Sequence, residues 1–195
     1  DRRTGETFFA FLAGAFLVLT GCSAEQPARD APAPAAATAG VFASQVRSVR
    51  EGRTDWIAVE TEEITDESLR QIRDLTGLRE LLIEQSCVTD AGLDHLSCMV
   101  RLEHLRLRGA AVTNAGICKL THLKRLRILN LPQAEFSDAA LAELVSLPEL
   151  ELLRFGSPNV TDAGLDHLRR MANLRFVHII DSPITDTCQI GLMIQ

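Results

Sequence analysis

Six short strings constrain this chain more than any other feature of it. Ile64-Thr65-Asp66, Val88-Thr89-Asp90, Val112-Thr113-Asn114, Phe136-Ser137-Asp138, Val160-Thr161-Asp162 and Ile184-Thr185-Asp186 begin at intervals of 24 residues, and the register never slips. Five complete repeats cover 64–183, and a sixth breaks off at Gln195. Numbered from 1 within each repeat, apolar residues return at positions 1, 6, 9, 12, 15, 18 and 20, as in Val88, Leu93, Leu96, Met99, Leu102, Leu105 and Leu107. The steps of three from position 6 to 12 suit one face of a helix, and the step of two from 18 to 20 suits a strand. Thr or Ser at position 2 is placed to cap that helix, with Asp at position 3 at its positive end. One such unit cannot bury its own apolar face, but a stack can. The repeat therefore predicts a solenoid with a continuous core.

The same register, worked backwards, puts Ile57 and Val59 at positions 18 and 20 of an edge strand. Upstream of it, Phe42, Val46 and Val49 fall at i, i+4 and i+7, a short amphipathic helix suited to covering the open end of the core. Residues 41–63 are thus predicted to be a cap and edge strand, and 64–195 the repeats. At the far end Gln189 takes the Leu slot of position 6 and 188–195 has no polar cap, which reads as a degenerate last repeat or a truncated sequence.

The segment L-x-x-L-x-L recurs as 78–83, 102–107, 126–131, 150–155 and 174–179, the last two ending in Phe155 and Ile179. With the 24-residue period, this pattern resembles the leucine-rich repeat family, over residues from about 54 to 195. The T-D-A-G-L strings are most similar to its ribonuclease-inhibitor-like and cysteine-containing subclasses, and to exported bacterial proteins of that type. The resemblance implies an α/β solenoid: a right-handed βα superhelix with a parallel sheet on the concave face and helices on the convex face. One column departs from the family. Its asparagine or cysteine ladder is replaced by Ser86, Ala110, Ala134, Pro158 and Ser182, so the buried turn amides and carbonyls must find other partners.

The N-terminus carries a separate message. Arg2 and Arg3 precede an apolar run from Phe8 to Leu19, the pattern of a secretory signal peptide. The run ends in Leu19-Thr20-Gly21-Cys22, which resembles the lipobox of bacterial lipoproteins. That resemblance implies cleavage before Cys22, a diacylglycerol on its thiol and an acyl group on its amine. Residues 1–21 are then the signal peptide and 22–40 an Ala/Pro-rich tether partly extended by Pro32 and Pro34. Several acyl chains anchor stably, and no apolar run reaches the ~18 residues of a spanning helix, so the membrane is met through the lipid alone. Ser23 rather than Asp after the cysteine implies the periplasmic side of the outer membrane, in a cell that has one.

The formal net charge of −6 argues against nucleic acid as a partner, because phosphate binding needs a surplus of Lys and Arg. No P-loop, dinucleotide fingerprint, zinc-protease motif, nucleophile elbow or C-x-x-C is present, and no enzyme, cofactor or metal is expected. His95 and His167 lie in identical T-D-A-G-L-D-H-L strings and read as duplicated sequence. His104 and His178 are three strands apart, about 14 Å, too far to share a metal. Cys98, Cys118 and His122 leave three readings open: a metal site without an evident fourth ligand, a Cys98–Cys118 disulfide, or two partly buried free thiols.

Side chains alternate along a strand, so positions 17, 19 and 21 point away from the core. Across the strands that face begins acidic at Glu60, Glu80 and Glu84 and turns basic at His104, Arg106, Arg108 and Arg154. It ends apolar at Ile128, Leu152, Phe176 and Ile180. Trp56, Asn130 and His178 complete the candidate surface, and Ile128, Leu152 and Phe176 share one position in three successive repeats. The expectation is an envelope-anchored module that binds a protein or peptide on this face, with a carboxylate or acidic segment against Arg106 and Arg154. The alternative is a structural or self-associating envelope spacer without a specific ligand.

Overall fold

The computed structural model describes residues 40–185. The signal peptide, Cys22, most of the tether and the stretch around Gln189 lie outside the described residues. Among those described, β1 (Trp56–Val59), β2 (Glu80–Ile83), β3 (His104–Leu107), β4 (Ile128–Leu131), β5 (Leu152–Gly156) and β6 (Phe176–Ile180) form one parallel sheet in sequence order. Every pairing joins residues 24 apart, such as Leu81 with Leu105 and Leu129 with Leu153. Repeat period and strand register are the same number. Between strands run α2 (Asp66–Arg70), α3 (Asp90–Leu93), α4 (Asn114–Leu120), α5 (Asp138–Leu144) and α6 (Asp162–Leu168), with α3 continued by a 3₁₀ turn over Asp94–Leu96.

The core is one apolar column, mostly aliphatic. Leu105, Leu107, Leu129, Leu131, Leu153 and Phe155 face it from the sheet, while Leu93, Ile117, Leu141 and Leu165 close it from the helices. All of them are at most 1% exposed. The helices, however, are shorter than a helix face running from position 6 to 12 would make them. They stop at position 9 or earlier, and the chain continues in three-residue turns. In the first repeat Ile72 N–H donates to Leu69 C=O, Leu75 to Ile72 and Leu78 to Leu75, at 2.8–3.1 Å. The apolar positions 6, 9, 12 and 15 are therefore linked directly by i→i+3 backbone bonds. A strict step of three is the period of 3₁₀ geometry rather than the 3.6 of an α-helix, which is why the chain tightens there.

The T-D pair works mainly between repeats. Asp66 Oδ1 and Oδ2 accept from Thr89 N–H at 2.8 Å and Thr89 Oγ1 at 2.7 Å. Asp90 does the same for Thr113, Asp138 for Thr161 and Asp162 for Thr185. Capping within the repeat is partial: Thr65, Thr89 and Thr113 cap their helices, whereas Ser137 and Thr161 do not. The charge at position 3 thus bridges one unit to the next besides facing its own helix dipole.

The turns without the family's ladder are satisfied one by one. Ser86 Oγ donates to Arg108 C=O at 2.9 Å, Ser157 Oγ to Phe136 C=O at 2.6 Å, and Gly109 N–H to Gln133 Oε1 at 2.8 Å.

At the N-terminal end, α1 (Val41–Arg50) lays Phe42 and Val46 on the core. Glu62 accepts from Val41 N–H and Phe42 N–H at its start. Gln45 meets the backbone of β1 as a strand would: its Nε2 donates to Ala58 C=O at 2.8 Å and its Oε1 accepts from Ala58 N–H at 2.7 Å.

Candidate functional site

A parallel sheet backed by helices on one face leaves the other face open, and each strand places three side chains there. Positions 17 and 19 form two rows crossing the strands, about 6.6 Å apart because two residues separate them. Over β3 to β6 one row reads His104, Ile128, Leu152, Phe176, and the other Arg106, Asn130, Arg154, His178. These eight residues, with Arg175, Val177 and Ile179, line a groove of about 790 Å³. Ile128 and Leu152 are half-buried on its floor, and Phe176 stands 64% exposed at one side.

The structure divides the sequence-predicted residues into those that line the groove and those that do not. His104, Arg106, Ile128, Asn130, Leu152, Arg154, Phe176 and His178 line it. Trp56, 45% exposed on β1, and Arg108 lie outside it. Asn130 occupies an outward position yet is only 9% exposed, sitting in register between Arg106 and Arg154. Pro132 and Gly156, also at an outward position, add little to the surface, and Gly156 is buried.

The basic middle of this face is less basic than its sequence. Glu84 on the neighbouring repeat meets Arg106 at 2.8 Å and Arg108 at 3.8 Å, so both guanidiniums have a counter-ion. Arg154 has none among the described residues, and its Nε is shut off from solvent without a hydrogen-bond partner. The same is true of Asn130 Oδ1 and Arg106 Nε. Burial holds the His104 imidazole below the ordinary histidine range.

Column 16 carries a pattern that the sequence reading missed. Asp55, Arg79, Glu103, Arg127, Glu151 and Arg175 follow one another at 24-residue spacing with strictly alternating sign. Their backbones are laddered, as in Glu103 N–H to Arg79 C=O at 2.8 Å, so the side chains stack. Arg79 grips Glu103 through Nε at 2.9 Å and Nη2 at 3.0 Å, and Arg127 meets Glu151 at 2.8 Å. These arginines hold the Glu103 carboxyl below the usual carboxylate range, Arg79 most of all. Arg175, the last of the series, lines the groove and has no ion pair among the described residues. Reading the repeats in columns rather than along the chain would have revealed it.

Cys98 and Cys118 are free and exposed rather than partly buried, on the outer side of the helical layer. No group of three or more His, Cys, Asp or Glu that could hold a metal occurs among the described residues. Cys87 donates to Glu63 Oε1 at 2.8 Å, which pushes its thiol up.

No protein-family model matches the chain, and no curated protein matches it either. Solved structures do. An internalin (inlF) from Listeria monocytogenes is 20% identical, covers 75% of this chain and has a TM-score of 0.59. Internalin C2 (inlC2) of the same organism is 18% identical over 75% of this chain and 88% of its own, with a TM-score of 0.49. This chain spans 41% of the length of the first of these. Internalins are leucine-rich repeat proteins, and the likeness, with the repeat-matched parallel sheet, makes the fold of this chain an α/β leucine-rich repeat solenoid.

Proposed function

We propose that the protein is a binding module that takes up a protein or peptide in the groove between β3 and β6, and that it works in the cell envelope, held by lipid on Cys22. The observation that carries the reading is the groove itself. It joins three apolar side chains in register, two on its floor and Phe176 at its side, and polar atoms on Asn130 and Arg154 have no partner there. Apolar patches rimmed by polar groups mark interaction surfaces, and unsatisfied buried polar groups are costly unless a ligand meets them. The envelope location is supported by the Arg2-Arg3 flank, the apolar run and the Leu19-Thr20-Gly21-Cys22 string. Self-association through the β1 edge draws less support, because Gln45 already occupies the backbone of Ala58 there.

The test compares the full chain with a Leu152→Asp, Phe176→Asp variant and with Cys22→Ser. Phe176 is exposed and Leu152 half-buried outside the core, so the double variant is expected to stay folded, with its melting midpoint measured beside the parent's, while losing every partner that the parent captures from envelope extract. Cys22→Ser is expected to move from the membrane to the soluble fraction. A double variant that keeps the whole partner set contradicts the groove reading, and unchanged fractionation of Cys22→Ser contradicts the anchor.

A further inference from the structure

The groove's two rows differ in what they lack. In the apolar row, Ile128, Leu152 and Phe176 offer surface but no direction. In the polar row, Arg106 is already neutralised by Glu84 at 2.8 Å. Arg154 is half-buried and meets no carboxylate or acceptor among the described residues, while the buried Asn130 beside it has an unpartnered Oδ1. A partly desolvated guanidinium without a counter-ion is costly, so the strongest uncompensated demand on this face is for one negative charge at Arg154. Exposed Arg175, across the apolar row, is screened by water and adds steering rather than a second fixed point.

Three observations narrow the ligand, and the inference rests on the groove being the binding surface. One fixed cation asks for one carboxylate, not a polyanion, which Glu60, Glu80 and Glu84 on the same face would repel. An amide with a free oxygen beside the cation suits a partner that brings N–H groups, as a peptide backbone does. The two rows lie two strand residues apart, about 6.6 Å, which is the distance between same-side neighbours of any extended chain. We propose that the groove recognises an extended peptide segment in which an acidic side chain meets Arg154. A large apolar side chain two residues away lies on Ile128, Leu152 and Phe176.

The experiment pans a random-peptide display library on the full chain, on Arg154→Glu, on Arg154→Gln and on Phe176→Ala, with melting midpoints measured for all four. The parent is expected to enrich an acidic and a large apolar residue two positions apart, in either order. Arg154→Glu and Arg154→Gln should bind parent-selected peptides at least about tenfold more weakly, and Arg154→Glu should enrich a basic residue in place of the acidic one in its own selection. Phe176→Ala should keep the acidic preference while losing the demand for a large apolar residue. Parent peptides that bind this face without an acidic residue, acids retained by Arg154→Glu, a requirement for the peptide's free C-terminal carboxylate, or no enrichment at all each overturn the inference. In the first of these cases the proposed function still stands. Enriched peptides whose binding survives both Arg154→Glu and Leu152→Asp, Phe176→Asp overturn the two together.

Discussion

Gly116 shows how closely single residues are chosen by the repeat before them. A Cβ at this position would lie 2.2 Å from Asp90 Oδ1, 2.8 Å from Val112 Cγ1 and 2.9 Å from Leu93 Cδ1. Asp90 in turn uses that oxygen to accept from Thr113 N–H at 2.9 Å. The glycine is there to make room for a carboxylate from the neighbouring unit. Gly92 and Gly164 stand in the same relation to Asp66 and Asp138, and Ala140 follows the repeat that has Asn114 in place of Asp. Helix propensity alone favours Gly116→Ala by about 1 kcal/mol. Packing should reverse the sign, and the variant is expected to lose on the order of 1–3 kcal/mol in a denaturant melt. A stabilised variant would mean that the Asp–Thr bridge yields freely. The T-D-A-G-L string was conspicuous in the sequence, but only its capping role was legible there. The bridge joins residues 23 apart, and it becomes visible only once stacking brings them together.

At the scale of elements, the sequence spoke clearly wherever one unit repeats and poorly wherever units meet. Strand positions and core columns follow from periodicity, because burial against a parallel neighbour demands the same residue type every 24 positions. The length of the helices did not follow, since a run such as Leu120, Leu123 and Leu126 fits an α-helical face and a series of 3₁₀ turns alike; backbone bonds from Leu123 to Leu120 and from Leu126 to Leu123 decide for the turns. The alternating column from Asp55 to Arg175 was written in the sequence and overlooked. The capping of the first strand was not legible at all, for nothing about Gln45 along the chain indicates an amide spanning the backbone of Ala58. Gln45→Ala removes both bonds and leaves two partly buried backbone groups unpaired, at an expected cost of about 1–3 kcal/mol. It also frees a strand edge, so the variant should sediment as larger species at high concentration while the parent does not. A variant as stable and as monodisperse as the parent would show that the Gln45 bonds neither hold α1 nor protect the β1 edge.

For the molecule as a whole, the solenoid places its chemistry on the one face that the helices leave bare. The candidate site was legible as a surface: reading positions 17 and 19 across the strands gives Ile128, Leu152 and Phe176 beside Arg106 and Arg154. Which charges are free was not legible, since Glu84 reaches Arg106 and Arg108 from the neighbouring strand, and pairing depends on side-chain reach as well as register. Binding at this face requires that a partner touch its β3–β6 end. Site-specific photo-crosslinking in living cells measures this most directly, with the photoreactive side chain placed at Phe176 in the groove and, for comparison, at Val100, which is 57% exposed outside it. A discrete adduct is expected from position 176 that disappears with Leu152→Asp, and none from position 100. Equal adducts from both positions, or an adduct from position 100 alone, would contradict it.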